Sequence, residues 1–358
     1  MPNVLNQNFW YGRRVIVTGH TGFKGGWLCL WLQKMGAIVR GISLAPTTNP
    51  SLFEVARVAE GMDSILLDIN DFAKVRKCME EFNPEVIFHM AAQPLVRRSY
   101  EEPLETYYTN VIGTLHVLEA ARHVKSVRSI VNVTTDKCYE NREWVWGYRE
   151  DDPMGGHDPY SSSKGCAELV SSAYRRSFYA DSDIGMATVR AGNVIGGGDW
   201  AVDRLMPDVL RALELQKSVV LRNPHATRPW QHVLEPLSGY MLLAERLFDQ
   251  GKAYAEGWNF GPRDEDCKTV QWLVEHLCSS WGQRASLVIQ EEKQPHEANL
   301  LKLDISKVRH RLGWEPNWSI TKALNYITTW HKSWLNGQDM RAVCLEQICE
   351  YCESQKLS

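Results

Sequence analysis

The sequence predicts an α/β fold, a doubly wound parallel sheet with a smaller C-terminal lobe. Three observations carry this reading. Short β-rich runs alternate with helical patterns through the first half of the chain, a glycine-rich turn joins the first run to the first helix, and the rhythm changes after Asn193.

The first buried strand is Arg14-Val-Ile-Val-Thr18, followed by a helix around Trp27 to Met35. Ile38-Val-Arg-Gly-Ile-Ser43 is the second strand and Ser64-Ile-Leu-Leu-Asp68 the third. Val86-Ile-Phe-His-Met90, Ser129-Ile-Val-Asn-Val133 and Met186-Ala-Thr-Val-Arg190 complete six. Helical patterns at Asp71–Phe82, Leu104–His123 and Tyr160–Phe178 lie between them. Strands that alternate with helices pair in parallel with both faces covered, and ligands then bind beyond the carboxyl ends of the strands. Past Asn193 comes a glycine loop, a helix around Leu205–Leu215 and an irregular stretch through Arg222-Asn-Pro-His-Ala-Thr-Arg-Pro-Trp230. Residues 1–194 are therefore expected to form the sheet domain, with segments near 230–262 returning to it, and 195–358 mainly the lobe.

Composition narrows the partners. The chain has 358 residues and a net charge of −3, which gives no general attraction to nucleic acid or an anionic membrane. No apolar run approaches the roughly 20 residues of a membrane helix. The polar N-terminus lacks a signal-peptide pattern, and the nine cysteines, an odd number in a chain with a large potential core, read as reduced thiols. A cytoplasmic location is expected. Cys344, Cys349 and Cys352 have a spacing that hints at a metal site, but no fourth cysteine lies near and the segment reads as a terminal helix, so no metal is expected.

Thr18-Gly19-His-Thr-Gly22-Phe-Lys-Gly25 follows the first strand and opens a helix. Glycine lets backbone N–H groups approach a pyrophosphate, and the helix N-terminus adds partial positive charge. A Walker A loop would need Gly-Lys-Ser/Thr after four spacers, so a dinucleotide is favoured over ATP. Dinucleotide sites usually have a carboxylate at the end of the second strand for the ribose. Here Gly41-Ile-Ser43-Leu-Ala-Pro46 has none, leaving Ser43, while nearby Arg40 leaves NADP open beside NAD. Asp68 is either an adenine contact or a buried cap.

Tyr160-Ser-Ser-Ser-Lys164 places a phenol and an ammonium on one helical face. The ammonium is expected to lower the phenol's pKa, fitting it to take a hydroxyl proton. At the end of the fifth strand, Thr134-Thr135-Asp136-Lys137 sets an acid beside a potential base, with side chains expected to enter the crevice.

With these motifs, the sequence resembles the extended short-chain dehydrogenase/reductases, and within them the sugar-nucleotide 4,6-dehydratases. The resemblance rests on 19–25 with His20 and Lys24, His89-Met-Ala-Ala-Gln93, Thr135-Asp136-Lys137 and Tyr160 to Lys164. It continues through Arg190-Ala-Gly-Asn193 and Arg228-Pro-Trp-Gln231 to Pro295-His-Glu-Ala298. Lysine in the third place of the Thr-Asp-Lys triplet resembles the CDP-glucose branch. The missing ribose carboxylate departs from the wider pattern.

The resemblance implies a Rossmann domain holding NAD and a lobe holding a nucleotide sugar, CDP-glucose, in a homodimer or homotetramer serving deoxysugar and lipopolysaccharide synthesis. It places NAD on Gly19, His20, Gly22, Phe23, Lys24, Gly25, Ser43, Asp68, Ile69, Ala91, Ala92, Gln93, Asn110, Thr134, Tyr160 and Lys164. It places the substrate on Gln93, Arg97, Thr135, Asn193, Arg204, Arg222, Arg228 and His296, with Tyr100 and Glu297 nearby. Tyr160 would take the 4-hydroxyl proton as hydride leaves C4, Thr135 would bond the C4 oxygen, Lys137 would remove the C5 proton, and Asp136 would protonate the departing 6-hydroxyl. That assignment requires a neutral Lys137 and a protonated Asp136, or one proton shared by the two. A 4-epimerase or reductase would need Tyr160 and Lys164 without the Asp136–Lys137 pair, dehydratases for GDP- or dTDP-sugars would keep it, and a non-catalytic NAD sensor would need neither pair.

Overall fold

The computed structural model describes residues 5–282, 287–289 and 299–356. Seven parallel strands form the central sheet: β1 (Arg14–Thr18), β2 (Ile38–Ser43), β3 (Asp63–Leu66), β4 (Val86–His89), β5 (Ser129–Val133), β6 (Gly185–Ala191) and β7 (Gly257–Phe260). Their order is β7-β6-β5-β4-β1-β2-β3. The direction of winding reverses between β1 and β4, which opens a crevice at their carboxyl ends. This is the Rossmann arrangement.

Alternation along each strand decides which face a residue joins. Val15 and Val17 of β1 enter one core with Val39, Phe88, Val131 and Val189, while Ile16 enters the other with Ile42, Ile87, Ile130 and Met186. The helices α1 (Phe23–Lys34), α2 (Phe72–Phe82) and α4 (Pro159–Ser177) follow the expected patterns within a few residues, and α3 (Gly113–Arg122) lies between α2 and α4. Asp71 caps α2 by accepting the Lys74 N–H at 3.1 Å, and Asn83 ends it in the left-handed conformation. Gly41 is explained by its neighbour. A Cβ there would meet the His20 ring at 2.3 Å, so β2 can accept that ring only as glycine.

Two boundaries differ from the sequence reading. β3 stops at Leu66, so Asp68 lies in a loop, where its carboxylate accepts the Asn70 N–H at 2.9 Å. The single helix expected over Leu104–His123 is instead a turn, Pro103–Tyr107, a π-helical stretch, Tyr108–Ile112, and then α3. The π stretch carries Asn110, whose side chain is bonded on both sides and holds the chain off the α ladder.

In the lobe, α5 (Leu205–Glu214), α6 (Leu234–Gln250), α7 (Val270–Trp281), α8 (Ile320–Leu335) and α9 (Met340–Lys356) have different allegiances. Met206, Leu210, Leu213, Leu273, Leu277, Leu324 and Ile327 of α5, α7 and α8 form a separate core with the parallel pair Val219–Leu221 and Leu287–Ile289. By contrast α6 and β7 belong to the sheet, and α9 packs its Cys344, Ile348 and Tyr351 into the sheet core. Tryptophans mark the seam. Trp27 donates to Gly197 O at 2.9 Å, Trp31 meets the Tyr351 ring edge-on, and Trp200 meets Trp330 and Trp334. Among the described residues no helix is long and apolar enough to cross a membrane, and no group of His, Cys, Asp or Glu is arranged to hold a metal.

Glu245 of α6 ties down the N-terminal segment. Its Oε1 accepts the Trp10 indole N–H at 2.7 Å and the Asn6 N–H at 3.0 Å. Burial raises its carboxyl from 4.5 to about 7, against the pull of those two bonds. A raised acid stabilises the fold at low pH, and that stability is lost as pH climbs from about 4.5 to 7. Glu245→Gln keeps an acceptor and removes the titration. The variant should match wild type near pH 5 and exceed its unfolding free energy by about 1–3 kcal/mol at pH 8 in urea titrations. Identical pH profiles for the two proteins would refute the assignment.

Candidate active site

A cavity of about 1290 Å3 opens at the switch point and runs between the sheet and the lobe. Ordinary small-molecule sites occupy ~300–1,000 Å3, so this one has room for more than one ligand. One end is lined by Gly19, Thr21, Gly22, Phe23, Lys24, Gly25, Ser43, Asp68, Ile69, Ala91 and Ala92. The other is lined by Asn193, Asp199, Asp203, Arg204, Arg222, Arg228 and Trp230, with Arg97 reaching in from the sheet side. Thr134, Thr135, Lys137, Tyr160 and Lys164 lie on the wall between.

The glycine turn is a tight cradle. Gly19 has φ +77°, a Cβ on it would meet Ala91 N at 2.8 Å, and a Cβ on Gly25 would meet Gly19 O at 2.1 Å. No side chain caps the N-terminus of α1 at Gly22, so the first-turn N–H groups face the cavity end as an anion site. Beneath the turn, Thr18 Oγ1 accepts the Met90 and Ala91 N–H groups at 3.0 and 3.1 Å. It also bonds His89 Nδ1, while His89 Nε2 meets Thr114 Oγ1. Burial, and then Lys164, lower His89 to about 3, so it is a neutral strut.

Asp158 caps α4, accepting the Ser161 N–H at 2.9 Å, and Pro159 takes the first helical position. This presents Tyr160 and Lys164 one turn apart. The α4 helix is anchored twice. Ser163 Oγ accepts from Asn110 Nδ2 at 2.9 Å, and Asn110 also pairs with both backbone groups of Gln93. Deeper in, the buried Glu168 carboxylate accepts Thr134 Oγ1 at 2.5 Å, Thr188 Oγ1 at 2.7 Å, and both Nε and Nη2 of Arg190 at 2.9 Å. Arg190 continues to Tyr139 OH and Glu150 O, and Tyr139 donates to Asn259 of β7. Burial pushes Glu168 up, but Arg190 and the two hydroxyls hold it below the usual carboxylate value.

The Tyr160 phenol is raised rather than lowered, contrary to the sequence expectation. The Lys164 ammonium donates to Val133 O at 3.1 Å, and burial brings it down to about 8 against the pull of Glu168. Burial pushes the Tyr160 phenol up to about 12. A hydrogen bond with Thr135 and the Arg204 charge oppose this, and Asp136 adds to it.

Asp136 also departs from expectation, since it does not line the cavity. A 3-10 turn, Asp136–Cys138, places it behind the wall, where Oδ1 accepts Thr135 Oγ1 at 3.0 Å and buried Oδ2 has no hydrogen-bond partner among the described residues. Burial holds its carboxyl above the ordinary value, although Lys137, Thr135 and Arg228 pull it down. Thr135 thus connects a protonated-leaning acid to the phenol. Lys24 joins the same electrostatic group. Burial, then Arg204 and Lys164, lower it to about 7, while Asp136 raises it.

The GDP-mannose 4,6 dehydratase family profile matches residues 16–327. The chain belongs to this family. It is 57% identical to the CDP-glucose 4,6-dehydratase of Salmonella typhimurium, over 97% of this chain and 98% of that one. It is 26% identical to the dTDP-glucose 4,6-dehydratase of Xanthomonas campestris, over 93% and 98%. The solved dTDP-glucose 4,6-dehydratase of Streptomyces venezuelae, with NAD and TYD bound, superposes with a TM-score of 0.78 at 22% identity, covering 92% of this chain and 99% of that one. A UDP-glucose-4-epimerase of Stenotrophomonas maltophila with bound NAD gives 0.81 at 21% identity, covering 91% and 99%. At that identity the two structures establish the fold.

Four other expected contacts fall elsewhere. The His20 side chain leaves the cavity, packs on Gly41 and bonds Ser64 Oγ at 2.7 Å. Gln93 folds onto its own loop, bonding Leu95 and Thr106, and Asn110 is its clamp rather than part of the wall. Tyr100 is exposed outside the cavity. His296 and Glu297 lie outside the described residues. Sequence reasoning missed Thr18, Ser163, Glu168 and Arg190 as supports and Asp199 and Asp203 as lining. Only the spacing of Glu168, four residues beyond Lys164, hinted at any of them.

The Glu168–Arg190 pair yields a stability test. Glu168→Gln leaves a buried guanidinium undercompensated and should cost on the order of 3 kcal/mol in urea unfolding, whereas Glu168→Gln with Arg190→Met should recover much of the loss. A single variant as stable as wild type would show that the pair is not a structural anchor.

Proposed function

We propose that this chain is a CDP-glucose 4,6-dehydratase, converting CDP-D-glucose to CDP-4-keto-6-deoxy-D-glucose and water with NAD held in the sheet half of the cavity. The observation that carries it is the meeting of Tyr160, Lys164, Thr135 and Lys137 on one wall of one cavity, with Asp136 directly behind it and bonded to Thr135. Tyrosine and lysine suffice to oxidise a sugar hydroxyl. The adjoining acid and amine supply what elimination adds. The CDP sugar follows from the 57% identical relative.

The cradle suits a dinucleotide. A Cβ at Gly25 would fill it, the N-terminus of α1 faces it, and Ser43 and Asp68 flank it where ribose and adenine would lie. Arg40 is taken by Asp63 at 2.6 Å and does not line the cavity, which speaks for NAD over NADP. Bound there, NAD would supply a reversible hydride acceptor for the sugar.

The chain's own groups handle the protons. Tyr160 takes the 4-hydroxyl proton, with Arg204 and the Thr135 hydroxyl easing charge on a phenol that burial makes reluctant. Thr135 holds the C4 oxygen. The resulting ketone acidifies C5–H, and Lys137 removes that proton from its place on the wall. Asp136 stores the acid proton for the 6-hydroxyl, held there by the same burial that makes ionisation costly. Arg97, Arg204, Arg222 and Arg228 surround the path a diphosphate would take toward the lobe. We further place the enzyme in the cytoplasm as a homodimer or dimer of dimers. Exposed Leu104 and Tyr108 near α3, with Leu169 and Phe178 at α4, supply an apolar face for a two-fold contact.

The deciding assay offers NAD+ with CDP-, dTDP- and GDP-glucose separately. CDP-glucose should give a 4-keto-6-deoxy product with no net build-up of reduced cofactor, and should exceed the other two by at least ~10-fold in kcat/KM. A product inverted at C4 with its 6-hydroxyl intact would make the protein an epimerase instead. Lys137→Ala should bind CDP normally yet lower elimination by roughly 10²-fold or more, read as loss of solvent deuterium incorporation at C5. Full activity in that variant would remove Lys137 as the base.

A further inference from the structure

Three of the cavity arginines are already ion-paired, by two carboxylates of a single short stretch of chain. Asp199 Oδ2 lies 3.2 Å from Arg204 Nη1. Asp203 Oδ1 lies 2.9 Å from Arg222 Nη2 and 3.5 Å from Arg97 Nη1. All five side chains line the cavity. Arg97 stands on the sheet side, in the helix Val96–Glu101, whereas Arg222 follows the lobe strand Val219–Leu221. One carboxylate oxygen therefore bridges the two halves across the mouth of the site. Arg228 is different, being buried and donating to the carbonyls of Thr227 and Asn299.

The bridge is built to exchange. Asp203 holds its place on a turn with φ +60°, a left-handed conformation that aspartate and asparagine tolerate better than most residues. The side chains of Arg97, Asp203 and Arg222 are 37%, 37% and 34% exposed, so a solute can reach each pair. A diphosphate presents several oxygens and can take each guanidinium in a two-pronged contact, whereas Asp203 offers both arginines the same single oxygen.

We propose that Asp203 is a built-in competitor of the substrate's diphosphate for Arg97 and Arg222. This rests on the nucleoside-diphosphate reading above. Binding then exchanges one set of ion pairs for another and lifts the 199–203 stretch from the arginines. Product leaves by the reverse exchange, with Asp203 taking the guanidinium groups back as the diphosphate departs. Affinity is thereby held below what the arginines alone would give, which keeps binding from being deeper than turnover can use.

Calorimetric titration with CDP tests this on wild type, Asp203→Asn, Arg222→Gln and the double variant. Asparagine keeps the left-handed turn and removes the charge. Asp203→Asn should bind CDP about two- to five-fold tighter, the scale of a half-exposed ion pair, and should lower KM in the same proportion. Uncharged cytidine should bind both proteins alike, and the gain should shrink in the Arg222→Gln background, where only the longer Arg97 pair is left. Asp208→Asn is the charge control, because Asp208 also lines the cavity but pairs with Arg211. Equal or weaker CDP binding by Asp203→Asn overturns the proposal, as does a gain that Arg222→Gln leaves undiminished or that appears equally in Asp208→Asn. A wild-type protein that binds no CDP overturns the substrate reading itself, and the proposal with it.

Discussion

The buried pair of Glu168 and Arg190 is the constraint on which the site's geometry depends. It joins α4 to β6 by two charge-assisted bonds and to β5 through Thr134, and passes through Tyr139 to β7. The candidate catalytic groups hang from these elements. Tyr160 and Lys164 extend from α4, and the Thr135 turn leaves β5 one residue after Thr134. A buried pair of this kind contributes little net stability compared with an apolar substitute, so its value here lies in register. It fixes how far α4 slides along the sheet, and hence whether Tyr160 meets Thr135.

The same burial sets the acid–base character of the site. Desolvation is the largest influence on Asp136, Tyr160, Lys164 and Lys24 alike. It biases all four toward their neutral forms. A neutral carboxylic acid is what protonation of a leaving hydroxyl needs, and an easily deprotonated ammonium is what proton traffic near neutrality needs. The phenol bears the cost of the arrangement, because burial raises it and the Thr135 hydrogen bond and the Arg204 charge only partly oppose this. A dry wall with sparse, opposed charges thus replaces the simple tyrosine–lysine tuning that spacing suggests.

Much of the fold was legible because its signals are local. Each strand is a short apolar run, each crossover helix keeps its period, and Gly19, Gly22 and Gly25 punctuate the first turn. Tyr160 with Lys164 and Thr135 with Lys137 were legible for the same reason, since i,i+4 and neighbouring positions need no long-range information. What misled was always a side chain with a distant partner. His20 looked like a cofactor contact but fits the space left by Gly41 in the next strand. Gln93 looked like a sugar ligand but folds back under Asn110. The helix over 104–123 has an unbroken pattern, yet Asn110, bonded across to Gln93 and Ser163, forces a π stretch into it.

The sequence by itself therefore determined the strand and helix order, the glycine turn, and which candidate residues stand together along the chain, because periodicity, glycine and short spacings act within a few residues of chain. The tertiary structure alone decided which of those residues face the cavity and in what state of charge. Asp136 stands behind the wall, Lys164 answers a carbonyl, and Asp203 holds the arginines of both halves. Each outcome depends on groups tens or hundreds of residues apart, and on the removal of water that only their packing achieves.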